Sequence, residues 1–229
     1  MTRNCKLAAA AAVLALAVGA AAGADASVLT FDGDICNGGL TCSDSLRIDQ
    51  TYGDTAAVDV QYNHDITSPA NTTGAAGAEL QWWDTGYNDL VNVAWGGVND
   101  AAGTPMIFLK PVTGRTVTLN GFDLGGFLLA ERETQVTIVD GLNNVLYASG
   151  TIMAGTGPIT ARHFSFNLSS ATGIGIQWGP SGFNVGMDNV DFTTGAAAGV
   201  PEPATWAMLI LGLGAAGSLI RHRRAFASS

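Results

Sequence analysis

Between its two ends the chain reads as a series of short alternations of apolar and polar residues. Runs rich in Val, Ile, Leu, Thr and aromatic residues occupy 27–31, 46–51, 57–62, 78–83, 91–95, 105–110, 116–122, 134–139, 145–149, 162–167, 173–178 and 185–192, with Gly, Asn and Asp between them. A period of two places successive side chains on opposite faces of a pleated strand, so each run predicts a strand with one buried face. Gly141-Leu142-Asn143-Asn144, between two such runs, has the turn chemistry of a short hairpin. No stretch away from the termini sustains helical spacing. Ten to twelve short antiparallel strands in about 170 residues predict an all-β fold, a two-sheet antiparallel sandwich wound as a jelly roll.

The two ends break this pattern. Arg3 and Lys6 precede an apolar, alanine-rich stretch over 7–23, and Ala24-Asp25-Ala26 follows. A positive start, an apolar middle and an A-x-A site predict a signal peptide over 1–26 that leaves Ser27 as the first mature residue. At the other end, Pro201-Glu202-Pro203 is followed by an uncharged run over 204–220 that begins near Trp206, and then by Arg221, Arg223 and Arg224. The prolines can neither continue a helix nor donate to a ladder, which keeps that segment extended and accessible. At 1.5 Å per residue the uncharged run spans about 25 Å as a helix, close to the shortest length that crosses a hydrocarbon core. An interfacial Trp at one end and arginines at the other predict a transmembrane helix with a cytoplasmic tail over 221–229. Gly212-Leu213-Gly214-Ala215-Ala216-Gly217 matches G-x-G-x-x-G by letter, but no strand precedes it and no acidic residue follows. Small residues there suit close helix approach in a bilayer instead.

The ordered combination of Pro201, Glu202, Pro203, Trp206, an apolar run rich in small residues and the closing Arg221, Arg223 and Arg224 resembles a PEP-CTERM sorting signal. That resemblance implies an exopolysaccharide-producing Gram-negative bacterium, export through the secretion translocon and recognition by an exosortase in the inner membrane. It further implies removal of the tail near Pro-Glu-Pro, with the protein passing to the cell surface or extracellular matrix. The expected layout is then a signal peptide over 1–26, an ectodomain over 27–194, a linker over 195–203, an anchor over 204–220 and the basic tail. Three segments, Gln50-Thr51-Tyr52-Gly53-Asp54, 86–94 and 186–192, are similar to ectodomains found on such tails, and those look like carbohydrate-binding jelly rolls.

Charge narrows the partners of the ectodomain. Residues 27–194 hold seventeen acidic side chains against five basic ones (Arg47, Lys110, Arg115, Arg132 and Arg162), a net charge of −12. Such a surface repels nucleic acid and anionic membranes and is compatible with polysaccharide or cations. Cys5 leaves with the signal, so Cys36 and Cys42 remain as an even pair in an exported chain and predict a disulfide. A loop this short contributes about 2 kcal/mol in the chain-entropy model.

Catalytic patterns are sparse. The ectodomain has two histidines, His64 and His163, and lacks a G-x-S-x-G elbow. Glu131 and Glu133 flank Arg132, where salt-bridging is the simpler expectation. We therefore expect no enzyme, with a glycan hydrolase as the distant alternative. Sugar binding needs aromatic faces beside carboxylates or amides. Trp82 and Trp83 are adjacent on a predicted strand and must point to opposite faces. Alternation with Leu80 sends Trp82 inward and leaves Trp83 outward, beside Asp84 and Tyr87. Trp95 and Trp178, each ending a run next to glycine, are further candidates. Asp32, Asp34, Asp188 and Asp191 would hold structural calcium if the terminal strands pair, since hard oxygen ligands suit Ca²⁺. The expectation is an exported matrix protein that binds polysaccharide, with a structural or adhesive role through protein contacts as its rival.

Overall fold

The computed structural model describes residues 25–64, 80–96, 104–157, 159–197 and 208–214. Eleven strands follow in order: β1 (Asp25–Leu29), β2 (Val58–His64), β3 (Gln81–Trp83), β4 (Val93–Trp95), β5 (Pro105–Pro111), β6 (Arg115–Gly126), β7 (Glu133–Asp140), β8 (Val145–Met153), β9 (Arg162–Ser170), β10 (Ile174–Gly179) and β11 (Val185–Ala196). They form two antiparallel sheets. One runs β3-β4-β11-β6-β9, with β1 also pairing β11, and the other runs β2-β5-β10-β7-β8. From β4 onward the pairs nest: β7 with β8 innermost, then β6 with β9, β5 with β10 and β4 with β11. One long hairpin rolled into two sheets is the jelly-roll winding expected from the pattern.

The alternation explains the core. Val117, Leu119, Phe122 and Leu124 of β6 and Val185, Met187, Val190 and Phe192 of β11 are buried against Ile138 of β7 and Ile174, Ile176 and Trp178 of β10. Register shifts in β11 between Asp188 and Asp191, and in β9 opposite Leu119 and Gly121, reset which face each half-strand buries. The β7–β8 turn is closed by Asp140, whose carboxylate accepts the N–H groups of Leu142 and Asn144 at 2.8 Å each.

One predicted strand did not form. Residues 46–51 instead lie along the edge of β3: the Trp82 N–H donates to the Leu46 carbonyl at 2.8 Å and the Ile48 N–H to the Leu80 carbonyl at 3.0 Å. The chain then turns at Gly53, whose φ of +81° favours glycine, and lies over β2. There Gln50 accepts the Tyr62 N–H on Oε1 at 3.1 Å and donates Nε2 to the Tyr62 carbonyl at 2.9 Å, while Asp54 accepts the Val60 N–H at 2.8 Å. The β3 and β2 edges are thereby covered, while β1, the other outer strand on this side, pairs with β11 alone. The Cys36–Cys42 disulfide is present and closes a tight loop just before this segment.

The first and last strands pair from Asp25 with Thr194 to Leu29 with Val190, and β11 continues to Ala196. The strands thus overrun the expected ectodomain limits of 27 and 194 by two residues at each end. Residues 208–214 are helical and exposed, and no described helix is long and apolar enough to cross a membrane. The rest of the expected anchor, the signal peptide through residue 24, and Pro201, Glu202, Pro203, Trp206, Arg221, Arg223 and Arg224 lie outside the described residues.

Candidate functional site

The aromatic candidates separate on burial. Trp82 is in the main core and donates Nε1–H to the Phe31 carbonyl at 3.0 Å, so Trp83 faces the other way, as alternation requires. Trp83 is only partly open. Its ring packs edge-on against Trp95, with centroids 5.4 Å apart, and against Phe127, 5.5 Å apart. Tyr87, Leu90, Val93 and Trp95 form a small second core with Trp83, Phe127 and Phe183 around them. Tyr87 is 1 % exposed and donates its hydroxyl to the Phe183 carbonyl at 2.9 Å, and burial, aided by Asp44, pushes its phenol well up. Trp95 is 3 % exposed, and Trp178 is completely buried with its Nε1–H on the Val185 carbonyl at 2.9 Å. Tyr87, Trp95 and Trp178 therefore hold the fold together and have no face to offer a sugar; Trp83 and the exposed Asp84 are what remains of that set.

The terminal strands do pair, but the four candidate calcium ligands are not gathered by it. Asp188 of β11 is buried and stands opposite Asp123 of β6, a residue the sequence pattern did not single out. Its carboxyl is pushed up to about 7, first by burial and further by Asp32 and Asp123, against the lowering effect of the Asn189 N–H that it accepts at 2.6 Å. Asp123 in turn accepts Asn189 Nδ2 at 2.9 Å and meets His163 Nδ1 at 2.7 Å, while Asp32 accepts from Asn92 Nδ2. Asp191, past the register shift, accepts from Asn120 at 3.1 Å, and Asp34 lies beside the disulfide loop with Gly38, Gly39 and Asp49. Among the described residues, no three carboxylate, imidazole or thiolate side chains converge as metal ligands. Asp32, Asp123, Asp188 and Asp191 accept from side-chain or backbone amides, and Asp123 also meets an imidazole.

Glu131 and Arg132 do not pair with each other. Glu131 accepts the Gly157 N–H at 2.9 Å, and Arg132 donates Nε–H to the Phe127 carbonyl at 3.0 Å. Arg132 opens onto the larger of two adjoining hollows on the outer side of the five-stranded sheet. That hollow is about 400 Å³ and is lined by Arg132, Glu133, Thr134, Gln135, Thr151, Pro180, Ser181 and Asn184. The second, about 360 Å³, is lined by Thr104, Gln135, Thr137, Gln177, Gly179 and Pro180. Gln135 and Pro180 belong to both, so the two read as one shallow trough. Its chemistry follows from register: Gln135 and Thr137 alternate outward on β7, and Gln177 stands opposite Thr137 on β10. Gly179 lies in the floor and adds no side chain to it. The walls supply amides and hydroxyls, which both donate and accept, and no aromatic ring. At one end the Asn184 carbonyl accepts the Phe127 N–H at 2.8 Å, which ties that rim to the segment whose Phe127 packs on Trp83 of the other sheet.

Fold and site together define an acidic, disulfide-bonded jelly-roll sandwich with an amide-lined trough on one sheet. The tail supplies the rest: residues 199–224 match the PEP-CTERM protein-sorting motif. The chain is therefore an exported protein with a C-terminal anchor of the kind an exosortase processes. No curated protein matches it. A solved structure titled "CBM4 structure and function" is similar at 14 % identity over 64 % of this chain and 93 % of the other, with a TM-score of 0.26, too low to bear on ligand or mechanism.

Proposed function

We propose that this is a surface or extracellular-matrix protein whose sandwich associates with exopolysaccharide through the trough of Gln135, Thr137, Thr151 and Gln177, with the partly open Trp83 of the other sheet as a second contact. The sorting motif is the observation that carries this reading, because a tail of this kind implies export by an exopolysaccharide-producing cell. The site chemistry supports it. Neutral amides and hydroxyls match sugar hydroxyls, and a domain of net charge −12 selects against polyanions. In this reading the domain binds without turnover, since Glu131 is engaged with the Gly157 N–H and Glu133 stands on a rim without a second carboxylate among the lining residues.

Affinity electrophoresis of the exported protein through the producing cell's own polysaccharide tests this. The expected result is retardation that weakens about thirtyfold in Gln135→Ala/Gln177→Ala, the loss of two hydrogen-bonding groups at about 1 kcal/mol each, and falls further with Trp83→Ala. Unhindered migration across a wide set of neutral polysaccharides would overturn the reading, and saccharide cleavage would replace it with a hydrolase. The tail has its own test. Pro201→Ala/Pro203→Ala is expected to hold the protein at the membrane as an unprocessed precursor, visible as a larger band in the membrane fraction, and normal release would contradict processing at that motif.

A further inference from the structure

The two sides of the sandwich are treated differently. On one side, β3 is lined by the 46–48 segment and β2 is capped by Gln50 and Asp54, so their outer backbone groups are satisfied within the chain. On the other side, β8 and β9 end their sheets side by side. They face each other across the sandwich: Tyr147 meets Phe166 at 5.1 Å between centroids, and Arg162 Nη1 donates to the Met153 carbonyl at 3.0 Å. Among the described residues nothing lies along the outer backbone of β9.

Three further observations mark this side as unfinished. No residue of either nine-residue strand is buried, although their ladder neighbours β6 and β7 bury their inward apolar positions. The inward side chains Tyr147, Phe164, Phe166 and Leu168 are left half-covered at an open seam. Edge strands are commonly guarded by lysine, proline or inward charge. β9 has a bulge against β6 and the inward Arg162 at its first position, but beyond that position neither strand carries lysine, proline or an inward charge, and neither contains a carboxylate in a domain that carries seventeen.

We propose that this side is an interface with a second copy of the same chain. Two stacked free edges, separated by the roughly 10 Å between packed sheets, are both continued only by a partner that presents two edges at the same spacing. A second copy does so. A two-fold axis normal to the sheets sets β9 antiparallel to its counterpart and β8 to its own, closing the seam over Phe164 and Phe166. The absence of carboxylates makes this the side on which two strongly acidic domains can approach. The inference stands apart from the glycan reading and survives its failure.

Sedimentation of the exported protein over a wide concentration range decides the matter. The wild type is expected to dimerise, and Ser165→Lys/Asn167→Lys, which places two exposed charges on each β9 edge, is expected to raise the dissociation constant about tenfold or more through opposed like charges. Near-ultraviolet circular dichroism should be unchanged, because both replaced side chains are on the exposed face of β9. Independently, Ser165→Cys should give a disulfide-linked dimer on mild oxidation. A wild type that stays monomeric throughout overturns the proposal. So does a dimer that keeps its affinity in the lysine variant, or a Ser165→Cys protein that fails to cross-link.

Discussion

Trp178→Ala is expected to cost about 3–5 kcal/mol, the range for truncating a large core aromatic, and so to remove much of the stability a domain of this size possesses. Trp178 is completely buried on β10, between its ladder neighbours β5 and β7, and it packs into the main core. The substitution opens a cavity between the sheets and also strips the Val185 carbonyl of its indole donor at the start of β11. A buried carbonyl left without a partner adds its own penalty to the lost packing. Urea denaturation should show a lower midpoint with an unchanged slope. Trp178→Phe separates the two effects: it restores most of the volume and should recover more than half the loss. Polysaccharide binding should change only in proportion to the unfolded fraction. A folded Trp178→Ala protein with normal stability and abolished binding would return that residue to the sugar site.

The second large effect depends on pH. The Asp188 carboxyl is held up to about 7 by burial and by Asp32 and Asp123, whereas the unfolded chain gives it an ordinary aspartate value near 4. A carboxyl raised in the folded state favours folding most at pH values below the unfolded pKa. That contribution declines as pH rises and is gone above the folded value, where the buried group must carry its charge. A shift of this size corresponds to about 4 kcal/mol as a ceiling; with residual solvent contact and the Asn189 N–H bond, about 2 kcal/mol is the expected effect. Asp188→Asn keeps an oxygen for the Asn189 N–H and removes the charge. It should therefore be more stable than the wild type at pH 8 and nearly equal to it at pH 4, as read from thermal midpoints at fixed ionic strength. Parallel pH profiles for the two proteins would show that Asp188 bears no such burden.

Strand positions were largely legible because alternation is a local property, and β2, β5, β6, β7, β9, β10 and β11 fall where the runs of Val, Ile, Thr and aromatics put them. The 46–51 run failed on tertiary grounds. Its alternation is real, but bonding to Leu80 and Trp82 by single bridges leaves it as edging and not as a ladder. Trp82 and Trp83 were separable because adjacent residues on a strand must diverge. Tyr87 and Trp95 were not, because their exposure depends on what folds over them, and the Phe127 and Phe183 rings that do so come from distant segments; Trp178 follows the alternation of Ile174 and Ile176 into the main core. Asp123 escaped notice for a similar reason: only the register of β6 against β11 places it opposite Asp188. The trough is likewise made by Gln135 and Gln177, forty-two positions apart and brought together by the β7–β10 ladder.

The position of β11 has a mechanical meaning for a protein held by its tail. β11 lies inside the six-stranded sheet, bonded along one side to β6 and along the other to β4 and β1. The chain leaves toward the anchor from the end of that strand. Tension transmitted through the tail thus loads those ladders lengthwise, in shear, with many hydrogen bonds strained together rather than parted one after another. A tether fixed to an edge strand would peel; fixed here, it pulls on the strand that the sheet grips from both sides.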